Sequence, residues 1–523
     1  MSKKFAYYLF YLTNTQHCAI HFCSTLKKIN STKSKSLVLK ESDVLIIGSG
    51  MGSLTSAVLL AKRGLKVRIV EQNWQPGGCT TSYWRKGYVF EAGATTLVGL
   101  GKGMPLQYVL DEIGLTLPVR QLELPMQVHS KRGDVISRFE SLEDWIIEAE
   151  RAFGKKNQRK FWEECFKVSE FVWKNSLSQL TFPPKTLKDL TKAVKGVSLD
   201  QIANLPNAFL SVETVLKKYS LDSNQKFVDF VNEQLLITAQ NHMSEVNFLF
   251  GAAALCYTNY PNYYIDGGLL NLVNPLIEYV ESKEGEIIYR ESVEKIEKVK
   301  GGYKAKTSKG EYHAEYVISG IPINNTIELF DSKKVEKLKS KSMSSKQLNS
   351  AFQMGIGFIP HKEFDTIHHQ IHLEEPLKET GSASIFISLS HPDDHARSDE
   401  KGHRVMSVST HTPDPEKTMI DNDVAEKAVI QELMKRDFLK VENIQFMHSS
   451  TPKAWTKWTG RKWGFVGGYP QYLKIKPWQM LDARLDGHKA YQVGDTVYPG
   501  QGIPGVTLSG IIAVEKMHLD WGF

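Results

Sequence analysis

Residues 43–71 constrain the fold more than any other part of the chain, because a glycine-rich turn there is flanked by regular elements on both sides. The apolar run 44–47 predicts a buried strand, and the turn 48–52 leads into a segment with helical apolar spacing. A second apolar run, 67–70, ends at Glu71. This order and spacing predict a βαβ unit that binds a dinucleotide.

The residues of this unit have distinct expected roles. Gly48 permits the tight turn, and Gly50 lets the backbone approach a pyrophosphate at the positive end of the helix. Glu71 is expected to accept hydrogen bonds from a ribose, and its carboxylate would repel a 2′-phosphate. The third glycine of the usual pattern is replaced by Ser53, whose hydroxyl we expect to bond back to a carbonyl one turn earlier, which would keep the helix close to the strand.

A glycine doublet, Gly77-Gly78, follows shortly after Glu71. Its bare N–H groups are suited to a second part of the nucleotide, as in P-loops and nests. Alone the doublet is equally compatible with a plain turn, but after a βαβ unit it favours FAD over NAD. No residue near Cys79 resembles the base of a nucleophile, so Cys79 is interpreted as a small packed residue.

The most specific motif lies near the C-terminus. A predicted strand ends in Gly494-Asp495, and a glycine-rich run leads from there into a helix predicted over 506–517. Asp495 is expected to bind ribityl hydroxyls. The N-terminus of the helix would face the electron-rich edge of a flavin and stabilise its reduced anion.

The net charge of +7 comes entirely from the first 40 residues. They contain seven lysines and no arginine or acidic residue. Seven is also the excess of the 65 basic over the 58 acidic residues in the whole chain. The remainder is charge-balanced, so we expect no nucleic-acid partner. Five scattered cysteines favour a reducing compartment. No apolar run is long enough to span a bilayer.

Residues 1–40 allow three interpretations: an organelle transit peptide, a disordered basic arm, or upstream DNA translated from a misplaced start. The last two are favoured, because transit peptides usually use arginine. His17, Cys18, His21 and Cys23 have a spacing that fits no common zinc finger, so no metal site is predicted there.

The chain between 104 and 260 changes character and is predicted to be a helical block. Segment 186–199 is amphipathic and basic, which is compatible with a membrane-surface helix, but an ordinary half-buried helix is favoured. Helical apolar spacing predicts helices over 106–113, 142–153, 161–177, 187–194 and 226–240.

Strands are predicted to dominate from 350 to 412. His368 and His372 would lie about 13 Å apart on one strand, too far to bind the same ion, and His369 would face the other side. We therefore expect structural histidines. Residues 393–395 follow a proline and are interpreted as a solvated loop.

Taken together, these motifs resemble the phytoene desaturase and carotenoid isomerase family of FAD flavoproteins. The resemblance covers roughly residues 41–523 and includes 90–93, 263–268, 451–453 and 463–468. The sequence departs from the family pattern at Ser53, and at Cys79, where related amine oxidases carry arginine. The second departure argues against the amine-oxidase branch.

The resemblance implies an α/β fold, with a Rossmann-like FAD-binding domain of the amine-oxidase-like type and an inserted α+β substrate domain. The FAD-binding domain would be discontinuous over 41–105, 262–330 and 485–523. The substrate-binding and membrane-associating domain would comprise 106–261 and 331–484. The protein would be cytoplasmic and peripherally associated with a membrane surface, and organelle import through residues 1–40 remains open.

The resemblance also implies a set of FAD-binding residues, and neither a metal site nor a catalytic acid or base. Pyrophosphate contacts fall on Gly48, Ser49, Gly50, Met51 and Gly52, the ribose contact on Glu71, and the adenine-side contact on Val293. Gly77, Gly78, Cys79 and Thr80 form the second part of the nucleotide site, and the ribityl and flavin contacts fall on Asp495, Gly502, Ile503 and Pro504.

The reaction expected from the resemblance is desaturation of a long apolar isoprenoid, by hydride transfer from an allylic carbon to the flavin, with quinone or oxygen as electron acceptor. Isomerisation or retinol-type saturation with reduced FAD is the alternative. The ending 503–505 resembles bacterial desaturases and 498–501 resembles the isomerases, so desaturation is only slightly favoured. A non-catalytic isoprenoid-binding protein of the GDP-dissociation-inhibitor type is disfavoured, because it would not need the intact glycines and Asp495.

Overall fold

A computed structural model describes residues 40–195 and 199–523. The lysine-rich segment before residue 40, with its alternative interpretations and its candidate zinc ligands, lies outside the described residues. So do residues 196–198 of the amphipathic segment.

A seven-stranded sheet carries the glycine-rich turn. The strand Gly302–Thr307 is antiparallel to both its neighbours, and the other pairings are parallel. Parallel strands are buried on both faces, which explains why the predicted run 44–47 is continuously apolar and at most 4% exposed. In spatial order the strands are Val293–Val299, Gly302–Thr307, Glu311–Ser319, Lys40–Ile47, Val67–Val70 and Glu286–Ile288, with Ala490–Gln492 also paired to Glu311–Ser319.

Helices cover one face of this sheet and share its largest apolar core. The C-terminal helix Gly502–Trp521 packs closely on Met51–Lys62, because a Cβ on Gly510 would lie only 2.6 Å from the Gly52 carbonyl oxygen. Leu270–Ser282 and Pro105–Ile113 complete the core. This packing brings Pro105–Ile113 into the core of the nucleotide-binding sheet. The domain boundaries, including the one at 105, stay a prediction.

A second seven-stranded sheet lies in the remainder of the chain. Its strands in spatial order are Ile444–Ser450, Asn349–Phe358, Arg404–Pro413, Ser384–Leu389, His368–His372, Met126–His129 and Val135–Arg138. Only the pairing of His368–His372 with Met126–His129 is parallel. The last two strands lie inside the segment predicted to be helical. Each has four residues, too few to show a period of two.

The five helices predicted between 104 and 260 are confirmed to within a few residues at each end, whereas Leu199–Asn204, Val212–Lys218 and Phe248–Leu255 were not predicted. The block consists of Leu142–Phe153, Gln158–Ser176, Leu187–Lys195, Leu199–Asn204, Val212–Lys218, Gln225–Ala239 and Phe248–Leu255. The further elements are the hairpin Ser82–Arg85 and Tyr88–Glu91, the pair Val119–Gln121 and Tyr263–Ile265, and the helices Ile323–Leu329, Lys333–Glu336, Asn422–Lys435 and Pro452–Thr459.

The helix Leu187–Lys195 is oriented differently from the favoured prediction of an ordinary half-buried helix. Leu187 is 84% exposed and Leu190 is 46% exposed. Asp189 is buried instead, because Arg484 donates to both its carboxylate oxygens at 2.8 and 2.9 Å. None of the described helices is both long enough and apolar enough to cross a membrane.

The histidine-rich strand is buried and its side chains bond to protein groups. His368 Nδ1 lies 2.8 Å from Ser388 Oγ, and His372 Nε2 lies 3.1 Å from Gln370 Oε1. Burial lowers the pKa of His368 to about 3 and that of His372 to about 4, so both are neutral. Among the described residues, no three potential ligands are grouped to hold a metal ion.

The prediction of a solvated loop over 393–395 was wrong for Asp394, which is buried. Its carboxylate accepts hydrogen bonds from the Tyr264 hydroxyl at 2.7 Å and from the Gly267 amide at 2.8 Å. Asp394 thereby ties this loop to the turn that opens the helix Leu270–Ser282.

Candidate functional site

The glycine-rich turn faces an open space at the start of a helix. Gly50 is the N-cap residue of Met51–Lys62, no side chain caps this helix, and its first turn contains no acidic residue. A Cβ built on Gly50 would meet no atom within 4 Å. Gly77 lies beside Gly50 in a bridge pairing and donates its N–H to the Ser49 carbonyl at 3.1 Å. Uncapped amides and the helix dipole suit this space to an anion.

Glu71 lies at the end of the second strand and is only 7% exposed. Its Oε2 accepts from the Ser49 amide at 2.8 Å and from the Ser49 hydroxyl at 2.6 Å, while Oε1 accepts from the Asn73 amide at 2.8 Å. The carboxylate is therefore held in position by three donors. A ribose hydroxyl would have to share or replace the contact with the Ser49 hydroxyl.

The predicted back-bond of Ser53 is not formed, since its buried hydroxyl has no hydrogen-bond partner. The helix still approaches the sheet closely because Gly320 lies opposite. A Cβ on Gly320 would lie only 1.7 Å from Ser53 Oγ. The space normally provided by a third glycine on the helix is therefore provided from the end of Glu311–Ser319.

Two adjoining cavities, of about 850 and 120 Å³, meet beside this turn. Gly50, Cys79, Gly320 and Arg461 line both cavities and therefore lie where the two meet, a position that we call the constriction. Every residue that the sequence marks for cofactor binding lines one cavity or both. The small cavity is lined by Gly48, Ser49, Gly50, Glu71, Gly78, Cys79 and Val293, and the large one by Gly50, Met51, Gly52, Gly77, Cys79, Thr80, Asp495, Gly502, Ile503 and Pro504.

An ion pair lies on the large-cavity side of the constriction. Arg461 Nη2 donates to Asp495 Oδ2 at 2.8 Å, and the two side chains are only 14% and 13% exposed. Burial disfavours the guanidinium, but the Asp495 carboxylate outweighs burial and raises the pKa of Arg461. Burial also raises the pKa of the neighbouring Cys79 thiol. Cys79 is therefore a neutral thiol rather than a thiolate nucleophile.

The C-terminal helix starts at the wall of the large cavity. Its N-cap residue Gln501 makes no capping bond, and its side chain donates instead to the Thr238 carbonyl at 2.5 Å. Gly502, Ile503 and Pro504, in the first turn, line the cavity. The positive end of this helix dipole is thus available to a ligand in the large cavity, as the sequence predicts.

The remaining wall of the large cavity is mainly apolar. Among the lining residues that the structure describes, only Arg461 and Asp495 are charged at neutral pH, since burial lowers the pKa of His411 to about 4. The cavity reaches the surface at Leu205, which is half exposed. The apolar lining includes Phe171, Val172, Trp173, Phe182, Ile237, Leu249, Phe250, Ala253, Ala254, Tyr257, Phe386, Trp455 and Tyr498.

These features fit FAD. The open space at Gly50 would be filled by any side chain there, so it is suited to a bare backbone approaching a diphosphate. The small cavity has the acidic group expected for a ribose, and the large cavity has room for a flavin ring and an apolar substrate beside it. Arg461 Nη1 is buried without a hydrogen-bond partner, which an anionic ligand would satisfy.

Sequence reasoning missed Gly320 and Arg461. Gly320 had a recognisable signal, because it follows a parallel strand, and ligands of such sheets bind at the carboxyl ends of strands. Arg461 follows the helix Pro452–Thr459 and reaches the site only through tertiary packing. Its position after Gly460 is not distinctive in the sequence.

Comparisons with known proteins agree with this fold and site. A family model described as flavin containing amine oxidoreductase matches residues 54–518. Prolycopene isomerase 2, chloroplastic, of an Oncidium hybrid cultivar is 24% identical over 513 residues, covering 92% of this chain and 85% of that protein. All-trans-retinol 13,14-reductase of Danio rerio is 26% identical over 328 residues, covering 58% of this chain and 51% of that protein.

A solved structure of an oxidoreductase from Methanosarcina mazei has a TM-score of 0.61 at 16% identity, covering 90% of this chain and 100% of that one. This likeness shows the fold alone and confirms the predicted α/β architecture. That the chain lies outside the amine-oxidase branch, as Cys79 suggests, stays a prediction. The match over most of the chain establishes the family: the protein belongs to the flavin-containing amine oxidoreductases and is an FAD-dependent oxidoreductase.

Proposed function

We propose that the protein uses FAD to convert a long carotenoid-like polyene, and that the reaction is double-bond isomerisation with reduced FAD. The observation that carries the substrate class is the cavity of about 850 Å³, which joins the nucleotide constriction to a largely apolar wall. A hydrocarbon substrate needs no charged partner there, and the two charged lining residues pair with each other.

Similarity over most of the chain supports isomerisation. The Oncidium relative, which covers 92% of this chain, is named a prolycopene isomerase. Two other reactions have their own support: residues 503–505 resemble bacterial desaturases, and the Danio rerio relative is named a retinol reductase. All three reactions need a flavin placed against a polyene, and they differ in the direction of electron flow.

The residues of the chain would bind and orient the reactants. FAD, when bound, supplies a ring that can accept or return a hydride. The apolar wall would exclude water and hold the polyene in one orientation, which accounts for part of any rate enhancement. The amides at the start of Gly502–Trp521 would stabilise negative charge on the reduced ring. The charged groups among the described lining residues, Arg461 and Asp495, pair with each other, which fits chemistry on carbon–hydrogen bonds.

The test is to incubate the purified protein with phytoene-type and cis-polyene substrates in liposomes, with oxidised or prereduced flavin. The molecular masses of the products are then measured by mass spectrometry, and their absorption spectra are recorded. An unchanged mass with a shifted cis/trans absorption spectrum, seen only with reduced flavin, would support isomerisation. A loss of two hydrogens that requires quinone or oxygen would replace it by desaturation, and a gain of two by saturation. A flavin-loaded protein that changes none of these substrates would overturn the proposed substrate class.

We also propose that the opening of the cavity rests on a membrane surface. Leu187, Leu190, Leu205 and Phe209 are each 46% exposed or more, and Leu205 lines the cavity. Leu187 and Leu190 form one half of this patch, and Leu205 and Phe209 form the other. Trp478 contacts both halves: its carbonyl accepts a hydrogen bond from Lys185, just before Leu187, and its ring lies 5.5 Å from that of Phe209. A polyene could then pass between lipid and cavity without crossing water.

Exposed lysines, including Lys188 and Lys192, lie beside the apolar side chains, so anionic lipid should strengthen binding. The measurement is co-sedimentation with phosphatidylcholine vesicles, with and without phosphatidylglycerol. Leu187→Glu with Leu190→Glu should reduce binding at least tenfold, because burying each leucine contributes about 1.5–3 kcal/mol. Ile147→Glu, on the exposed face of another helix and 55% exposed, is the matched control. Equal binding of both variants would contradict the proposed surface.

A further inference from the structure

We infer that Arg461 is the residue that neutralises the diphosphate of FAD, bridging it to Asp495. This inference rests on the proposed FAD site and assigns a binding role to a residue that the motifs do not mark. It starts from the position of Arg461 between the two cavities.

The constriction is where the middle of the cofactor must lie. Glu71 lines the small cavity and is the expected partner of the ribose, while Asp495 lines the large cavity and is the expected partner of the ribityl chain. The diphosphate joins these two parts of FAD. A single FAD molecule that reaches both carboxylates therefore places its diphosphate beside the residues shared by both cavities.

Arg461 is the only charged residue among those four. Gly50 and Gly320 offer backbone, and the Cys79 thiol is kept neutral by burial. The backbone amides and the helix dipole supply only partial positive charge, whereas the diphosphate brings about two negative charges. One full positive charge at the constriction would compensate much of that excess in a site largely shielded from water.

The guanidinium is held ready for a second acceptor. One arm donates to Asp495 at 2.8 Å, and the Phe465 ring lies 5.3 Å from the guanidinium carbon. The other arm, Nη1, is buried and has no hydrogen-bond partner. A purely structural ion pair would be expected to satisfy both arms, because an unsatisfied buried donor is costly. A planar guanidinium can bind a carboxylate and a phosphate at the same time.

The test compares Arg461→Gln and Arg461→Lys with the wild type and with Lys462→Gln, a neighbouring lysine whose ion pair with Glu328 is exposed. Each full-length protein is stripped of flavin, checked by circular dichroism, and titrated with FAD and with riboflavin, which lacks the diphosphate. Arg461→Gln should raise the Kd for FAD about 10- to 100-fold, the range expected for a charge-assisted hydrogen bond. Its Kd for riboflavin should change less than about threefold.

Arg461→Lys keeps the charge but offers fewer fixed donors, so it should lose less FAD affinity than Arg461→Gln, and Lys462→Gln should behave like the wild type. Wild-type affinity for FAD in Arg461→Gln would overturn this inference and leave the proposed function intact. An equal loss of riboflavin and FAD binding would also overturn it, because that result indicates a structural role. A wild-type protein that binds no FAD would overturn the proposed function itself.

Discussion

Substitution of Gly50 should separate cofactor binding from folding. In Gly50→Val the new side chain would project into the open space before the helix Met51–Lys62, where a Cβ on residue 50 would have no atom within 4 Å. The backbone of Gly50, with φ −65° and ψ 165°, is accessible to valine. The Cβ of the new side chain would therefore clash with no protein atom, but the side chain would clash with a diphosphate bound in the same space.

The magnitudes follow from these contacts. Replacing glycine as the N-cap residue costs roughly 0.5–1 kcal/mol, and the lower conformational entropy of the unfolded chain offsets about 0.4–1 kcal/mol. The stability of the flavin-free protein should therefore change by less than about 1 kcal/mol. Loss of two charge-assisted hydrogen bonds from helix amides to the diphosphate costs about 3–6 kcal/mol, which raises the Kd for FAD by about 10²- to 10⁴-fold.

Gly52→Ala is the matched variant for folding, because it is expected to destabilise the flavin-free protein. A Cβ there would lie 3.0 Å from the Gly494 amide nitrogen and 3.2 Å from the Val506 carbonyl oxygen, and neither backbone atom can move freely. Overpacking of this kind costs about 1–3 kcal/mol. Thermal unfolding of the flavin-free proteins and FAD titration measure both effects. A Gly50→Val protein that binds FAD normally would refute the assignment of this space to the diphosphate. One that unfolds earlier than Gly52→Ala would refute the argument that valine is accommodated there without steric cost.

Four further outcomes are expected. Glu71→Ala should weaken FAD binding by a few kcal/mol at most, measured by titration, because one charge-assisted hydrogen bond contributes about 1.5–3 kcal/mol. Arg484→Leu should destabilise the protein by about 3–5 kcal/mol in urea unfolding, because it leaves Asp189 buried without its partner. Arg120→Leu, which breaks the exposed pair with Asp266, is the control and should cost less than about 1 kcal/mol. Burial would raise the pKa of Asp189, but the hydrogen bonds from Arg484 and from the Lys185 amide, together with the nearby positive charges, hold the pKa below its usual range. The contribution of Asp189 to stability should be complete above about pH 5 and be lost as the pH falls below about 4, which urea midpoints at several pH values would show. A chain lacking residues 1–39 should still fold and bind FAD, and a colourless or aggregated product would contradict this.

Elements with a strong local pattern could be predicted from the sequence. The strand before the glycine-rich turn and the helix after it follow from apolar spacing and glycine positions, and the C-terminal helix, predicted over 506–517, is observed as Gly502–Trp521. It starts earlier than predicted because a glycine and a proline are both tolerated in a first turn, where N–H groups have no partner inside the helix.

Features that depend on distant partners could not be predicted. The strand Met126–His129 exists because His368–His372 pairs with it across more than two hundred residues of chain. The outward orientation of Leu187 depends on Arg484, which holds Asp189, two residues further along the helix, inside. Ser53 needed no back-bond because Gly320 lies opposite. In each case local sequence admits more than one orientation, and a single long-range contact selects one.

The residues of the candidate site fall into the same two groups, those that local sequence predicts and those that depend on distant packing. The reason is chemical. Backbone contacts to a dinucleotide require glycines at fixed places in one local unit, so Gly48, Gly50 and Gly77 leave a readable pattern. A cationic side chain needs only to reach the phosphates, and a long arginine can do so from any segment that packs nearby. Arg461 comes from the end of Pro452–Thr459, far along the chain from the βαβ unit. The charge at the constriction is therefore a property of tertiary packing, and only a structure places it beside the glycines.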